Sequence, residues 1–262
     1  MKRFRMRPRL FVVGAFAALL ALAVAGIAGA AGGETPVTVK VGNLELTANG
    51  GFAPKALSRT KQTPIELTAE GEVKEADGSH PPAAREIIIE GDKNAEIHVK
   101  GIPTCSSGQL QATDTAAALK ACKSALIGEG QTTAQVAFAE QKPIDVPSKL
   151  LLFNGGEKGG KITWYVHAFF SNPISGAIVS TVTITKHPNG PFGTLTVTKI
   201  PQITGGSGSI VSFNLKIKKS VAGVNPISAK CANGKLKVHV QAKFEDGTKA
   251  ETEIVRPCTA KG

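Results

Sequence analysis

From Pro36 onward the chain is built from short β-branched runs broken by Gly, Pro and Asn, and only one stretch has a helical composition. Apolar and polar residues alternate in Val37–Val41, Leu44–Leu46, Ile65–Leu67, Ile97–Val99, Val136–Phe138 and Ile162–Val166. Further strands are expected at Ile178–Ile184, Leu195–Val197 and Phe213–Ile217. Period-two runs of this length, closely spaced and separated by turn residues, predict an all-β protein. The expected architecture is an antiparallel β-sandwich, with a jelly-roll as one form of it, carrying one short helix.

The last hairpin reads most clearly. Leu236, Val238, Val240, Ala242 and Phe244 alternate with Lys235, Lys237, His239, Gln241 and Lys243, and Glu245-Asp246-Gly247 follows as a three-residue turn with Gly at the left-handed position. That register sets Val238 opposite Ile254, Gln241 opposite Glu251 and Cys258 opposite Gly234. The glycine-rich stretches Asn154–Gly160 and Gly205–Ser209 are each flanked at once by strand patterns. They read as loops inside a single domain over residues 31–262, with two β subdomains split near residue 150 as the alternative. No period of 20 to 50 residues repeats.

Ahead of the strands, Met1–Arg9 holds five basic residues and no acid, and the 22 residues Leu10–Ala31 are free of charge and end in small side chains. This is the pattern of an export signal over residues 1–30, cut after Ala30. The apolar run is also long enough to span a bilayer, so retention as a membrane anchor is the alternative.

Export governs how charge and cysteines are read. The chain has formal charge +11, and removing the five basic residues of the signal leaves 26 basic against 20 acidic residues, or +6. That is mildly basic. No cluster of five or more Lys and Arg remains, and Lys216-Ile217-Lys218-Lys219 reads as a strand's solvent face, so no nucleic-acid partner is expected. Weak attraction to anionic cell-envelope polymers is the partner expectation. The four cysteines, placed in an oxidising compartment, predict two disulfides. Local pairing is expected, Cys105 with Cys122 and Cys231 with Cys258. The first pair brackets most of the helical segment Ala112–Ala125, which opens with the capping sequence Thr113-Asp114. The second needs the Asn233-Gly234 kink to swing Cys231 toward its partner. The spacings of a zinc site are absent.

Gly155-Gly-Glu-Lys-Gly-Gly160-Lys161 has the spacing of a phosphate-binding loop, but Ile162 follows where Ser or Thr would hold magnesium, and a strand follows where a helix is needed. A hairpin loop is expected, with no nucleotide and no cofactor. Asp92, Asn94 and Glu96 have the alternate spacing of calcium ligands, but no Gly stands at the sixth position and no Glu at the twelfth, so a turn between strands is expected. They are weak metal candidates. His167 shares a strand face with Tyr165 and Thr163, while Trp164, Val166 and Ala168 face the other way. His167 and Tyr165 are therefore the weak catalytic candidates, set against the plainer expectation of a solvated or locally hydrogen-bonded histidine on a polar face. His80 sits in the loop Asp77-Gly-Ser-His-Pro-Pro82, His98, His187 and His239 look isolated, and no nucleophile-elbow, zincin or active-site cysteine pattern occurs. The single Trp and single Tyr are adjacent and so point to opposite faces, which rules out their forming one sugar-stacking platform.

Val39-Lys-Val-Gly-Asn43, Ala48-Asn-Gly-Gly-Phe-Ala-Pro-Lys55, Asp77-Gly-Ser-His-Pro-Pro82, Phe153-Asn-Gly-Gly156 and Gly205-Gly-Ser-Gly208 carry a resemblance. With these, the chain resembles a secreted β-rich family of high-GC Gram-positive soil bacteria that has no assigned activity. The resemblance implies export and supplies no catalytic residues. The expectation for function is a non-enzymatic extracytoplasmic protein that binds or decorates the cell envelope. The alternatives are a secreted hydrolase with an irregular site near His167, or a carrier of a small apolar ligand.

Overall fold

Seventeen strands and two short helices follow one another in the computed structural model, which describes residues 34–172 and 175–262. In chain order they are β1 (Val37–Val41), β2 (Leu44–Ala53), β3 (Ala56–Ser58), β4 (Thr63–Pro64), β5 (Glu66–Glu75), β6 (Ala84–Asp92) and β7 (Ala95–Ile97). The helices α1 (Ser107–Leu110) and α2 (Thr115–Cys122) come next, then β8 (Leu126–Phe138), β9 (Gln141–Lys158), β10 (Lys161–Phe170), β11 (Gly176–Asn189) and β12 (Phe192–Lys199). The chain ends with β13 (Gly208–Ile217), β14 (Ile227–Ala229), β15 (Lys235–Phe244), β16 (Lys249–Pro257) and β17 (Thr259–Lys261). The expected signal peptide over residues 1–30 and its cleavage point lie outside the described residues.

The all-β class and the antiparallel pairing are as the sequence predicts. Where a sandwich has two stacked sheets, twelve strands here join in one sheet of order β1-β2-β5-β13-β8-β9-β10-β11-β12-β6-β15-β16. Its two ends approach each other, so the opposed walls of the core belong to one nearly closed surface. The seam between β1 and β16 has no strand pairing. Instead the Arg256 guanidinium of β16 reaches across, donating from Nε to the Gly50 carbonyl (2.5 Å) and the Glu34 carboxylate (2.9 Å). Its Nη2 donates to Asn49 Oδ1 (2.7 Å) and the Thr35 carbonyl (3.2 Å).

Between the walls the core is filled by side chains. Leu152 and Trp164 meet Ile217, Leu236 and Phe52 from other parts of the sheet in one cluster, and Ala134, Val146, Leu150 and Phe170 form another. One end of the near-barrel is covered by two small sheets, β4-β14-β7 and the parallel pair β17-β3. Ile65, Val99, Ile227 and Cys231 of this cover belong to the same main core.

Local structure follows from local chemistry. In the last hairpin Val238 pairs with Ile254 and Gln241 with Glu251, as the alternation requires. Cys258 N donates to the Gly234 carbonyl (2.9 Å), and Gly234 has φ +78°, the left-handed turn that a side chain would oppose. The kink brings Cys231 to Cys258 with Cα atoms 5.9 Å apart in a disulfide, and the other disulfide, Cys105–Cys122, has a Cα separation of 5.6 Å. The phosphate-loop look-alike is the β9–β10 hairpin. Lys158 pairs with Lys161 across Gly159 and Gly160, whose φ of +61° and +74° suit the tight turn. β9 runs unbroken through residue 150, and its first half carries Pro143 and Pro147 because it outruns β10 and pairs only with β8 there.

Candidate functional site

His167 does not face solvent. The face it shares with Leu151, Phe153 and Tyr165 is covered by the α1–α2 segment, making a second core on the outside of the sheet. Leu110, Ala118, Cys122 and Ala125 pack there against Leu151 and Phe153, and the Cys105–Cys122 bridge ties the segment down. The cover is locally encoded: Asp114 caps α2 by accepting from Ala117 N (2.7 Å), and Gln109 accepts at 3.0 Å from Ser106 N ahead of α1.

The His167 ring is fully buried. Its Nε2–H donates to the Thr113 carbonyl (3.0 Å), which leaves Nδ1 as a buried acceptor with no partner among the described residues. Burial pushes its pKa below the ordinary histidine value, opposed by the Thr113 carbonyl and the Asp114 charge. The ring is thus a neutral core group that anchors the loop between the helices. The polar-face expectation for His167 and Tyr165 is corrected accordingly: strand alternation assigns two faces but cannot tell which of them a distant segment will cover.

Asn154 is the second fastening of this cover. Fully buried, it donates from Nδ2 to the carbonyls of Ile102 (3.0 Å) and Pro103 (3.1 Å) and accepts from Gly156 N (3.0 Å) at Oδ1. Its own carbonyl accepts from Cys105 N (2.8 Å).

Asp92, Asn94 and Glu96 lie at the turn from β6 into β7 and do not converge on one point. The buried Asp92 carboxylate accepts from Asn94 N (2.8 Å), Asn94 Nδ2 (2.9 Å) and Lys237 N (2.8 Å). That is an Asx-type turn pinned to β15. Glu96 is exposed and lies instead beside His98, its Oε2 3.5 Å from His98 Nε2. Among the described residues no group of three or more His, Cys, Asp or Glu is arranged to hold a metal ion.

The structure does assemble one constellation that linear spacing conceals. Ser228 of β14 pairs with Glu96 of β7, and its hydroxyl lies 3.1 Å from His98 Nε2, a residue 130 positions away. A shallow depression lined by Gln62, Pro64, His98, Val224, Asn225 and Ser228 opens over this pair. Gln62 Nε2 donates to the Asn94 carbonyl (3.3 Å), and its buried Oε1 has no partner among the described residues. As a nucleophile–base pair the arrangement is incomplete. Glu96 and Ser228 approach the same ring nitrogen, so no carboxylate orients the imidazole from Nδ1, and Ser228 is itself buried.

A longer chain links Ser209, His80, Gln135 and Asp145. Gln135 Nε2 donates to Asp145 (2.9 Å), and His80 lies 3.1 Å from Gln135 Oε1 and 3.3 Å from Ser209 Oγ. The Ser209 hydroxyl donates to the Pro81 carbonyl (2.7 Å), so it serves to hold the β5–β6 connection against β13. His239 and His187 flank Glu90 at 3.0 and 3.7 Å on the outer wall, and Asn189 donates to it at 3.1 Å. These contacts hold the Glu90 carboxyl below the usual carboxylate range, the Asn189 amide contributing most. Each of these histidines lies against a side chain at least 97 residues away, too far for motif spacing to reveal.

No protein-family model, curated protein or solved structure matches the chain. No described helix is long and apolar enough to cross a membrane, which says nothing of crossing by strands.

Proposed function

We propose that the protein is exported, loses residues 1–30, and acts outside the cytoplasm as a non-enzymatic protein that binds or decorates the cell envelope. The observation that carries this reading is the pair of disulfides, which engages every cysteine of the chain. Such bridges form and persist in oxidising compartments and are rare in reducing ones. The likeness to a secreted family of high-GC Gram-positive bacteria belongs to the same proposal.

The polar side chains support a scaffold. His167 is sealed beneath a helical cover and Asp92 is saturated by three N–H donors. A hydrolase centred on His167 would need that cover to lift. The net +6 of residues 31–262 supplies a weak general attraction to anionic envelope polymers.

Fractionation of producing cells tests the proposal. Protein recovered outside the cytoplasm should have the intact mass of residues 31–262 with no free thiol, and should cosediment with purified envelopes until salt is raised. Cytoplasmic protein with all four thiols free would overturn it.

A further inference from the structure

The net charge is divided between the two ends of the near-barrel. At the end covered by the small sheets, segments 34–36, 54–65, 93–104, 218–234 and 258–262 contain nine Lys and Arg against two acids, Glu34 and Glu96, a net of +7. At the opposite end, connections 42–43, 76–83, 139–140, 200–207 and 245–248 contain Asp77, Glu140, Glu245 and Asp246 and no base, a net of −4, and Lys142, Lys199 and Lys249 stand on the adjoining strand ends. A linear scan misses this because no connection contributes more than four bases, and the fold brings them to one end.

Few cations of the basic end are neutralised: Lys55 pairs with Glu34, and Lys218 lies 3.8 Å from Glu129. On the walls Lys237–Glu253 and Lys243–Glu86 (both 2.7 Å) and Lys216–Glu66 (2.8 Å) are matched across strands, while Lys142, Lys186, Lys199 and Lys249 have no ion-pair partner among the described residues. At the basic end Arg59, Lys61, Lys100, Lys219, Lys230 and Lys261 have no ion-pair partner among the described residues. Three of them ride on the rigid surroundings of the Cys231–Cys258 bridge. Arg59 N donates to the Lys261 carbonyl (3.1 Å), Cys231 N to the Ser58 carbonyl (2.9 Å), and Lys230 N to the Asn94 carbonyl (3.0 Å).

We propose that this end is a docking face for a polyanionic chain polymer bearing phosphate or carboxylate groups. The proposal rests on the envelope-binding reading above and gives it a surface and a partner chemistry. Unpaired cations held on a rigid cover attract anions without first breaking internal ion pairs, and a field of one sign steers a flexible polyanion onto it. A polymer is favoured over a lipid surface because, of the large exposed apolar side chains, Val41 and Ile144 lie toward the opposite end and Phe213 lies on a wall, which leaves Val255 of β16 as the one near the basic end. A face that enters a bilayer interface presents such side chains.

Binding of long-chain inorganic polyphosphate and of poly-L-glutamate to the purified protein, measured across a salt series, tests the assignment. Arg59→Glu, Lys61→Glu and Lys261→Glu together should weaken binding by roughly tenfold or more and flatten its salt dependence, since fewer counterions are released. Lys142→Glu, Lys199→Glu and Lys249→Glu change the net charge equally at the other end, and should shift affinity by less than about twofold. Gln in place of Glu at the first three positions should give a smaller loss in the same direction, and circular dichroism with the melting temperature establishes folding of each variant. Equal losses in the two charge-reversed sets would overturn the face while leaving envelope binding intact. Binding to anionic phosphatidylglycerol vesicles but to neither polymer would overturn the partner class. Failure to cosediment with envelopes at all would remove the reading beneath both.

Discussion

His167 enters the folded protein neutral, with Nε2–H committed to the Thr113 carbonyl and Nδ1 buried. Its pKa is lowered from 6.5 chiefly by burial, so below that pH the unfolded chain binds a proton that the folded chain resists. Stability should therefore fall as pH drops through about 6.5 and stop falling from this cause below the lower folded value. Urea denaturation at a series of pH values checks it. In His167→Gln the slope between pH 6.5 and the carboxylate region should flatten, and an unchanged slope would contradict the assignment. Glu129, held below the usual range chiefly by Lys149, loses its stabilising charge only in the more acidic carboxylate region, so the two effects separate on the pH axis. At this scale the sequence was legible in part. Trp164, Val166 and Ala168 were assigned together to one face, and they share the interior. The environment of His167 was not legible, because the groups that bury it lie near residues 110–125 and no pattern around 167 encodes them.

At the scale of elements, the α1–α2 cover depends on local signals, namely the Asp114 cap, the Ala-rich α2 and the Cys105–Cys122 bridge. Its helices are four and eight residues long and would be marginal alone, so packing and the bridge hold them. Replacing both Cys105 and Cys122 by Ser should cost about 3 kcal/mol on the loop-entropy model. The loss should also be local. Amide exchange should rise first in α1, α2 and the strand residues they cover, with β15 and β16 retaining protection, whereas uniform loss of protection would show that the cover is no separate unit. Both pairings were legible from their spacing, as was the last hairpin with its register and its Gly234 kink. β6 was not, because Ile87-Ile88-Ile89 lies within it as a continuous apolar run with no alternation. The end of the expected strand Ile97–Val99 also shifted, since β7 stops at Ile97 and the chain turns away over the depression beside His98.

For the whole molecule, the seam is the point where the near-barrel is closed by a side chain instead of a ladder. Arg256 spans it with charge-assisted bonds to Glu34, Asn49 and the backbone of β2, and the same Glu34 pairs with Lys55. Arg256→Met keeps the aliphatic stem and removes the donors. Amide exchange in that variant should accelerate first in β1 and the adjoining part of β2, with β8–β10 unaffected, while an unchanged pattern would mean the seam is held by packing alone. The sequence by itself determined the all-β class, the strand-and-turn rhythm, the short helix and the cysteine pairing, because period-two alternation, turn residues and loop lengths act over a few neighbours. Only the tertiary structure decided that the strands join into one nearly closed sheet, that a helical flap covers one outer face, and that cations from separate connections collect at one end. Those outcomes depend on which strands meet across more than a hundred residues, as β12 with β6 and β15 with β6 do, and no local pattern carries that choice.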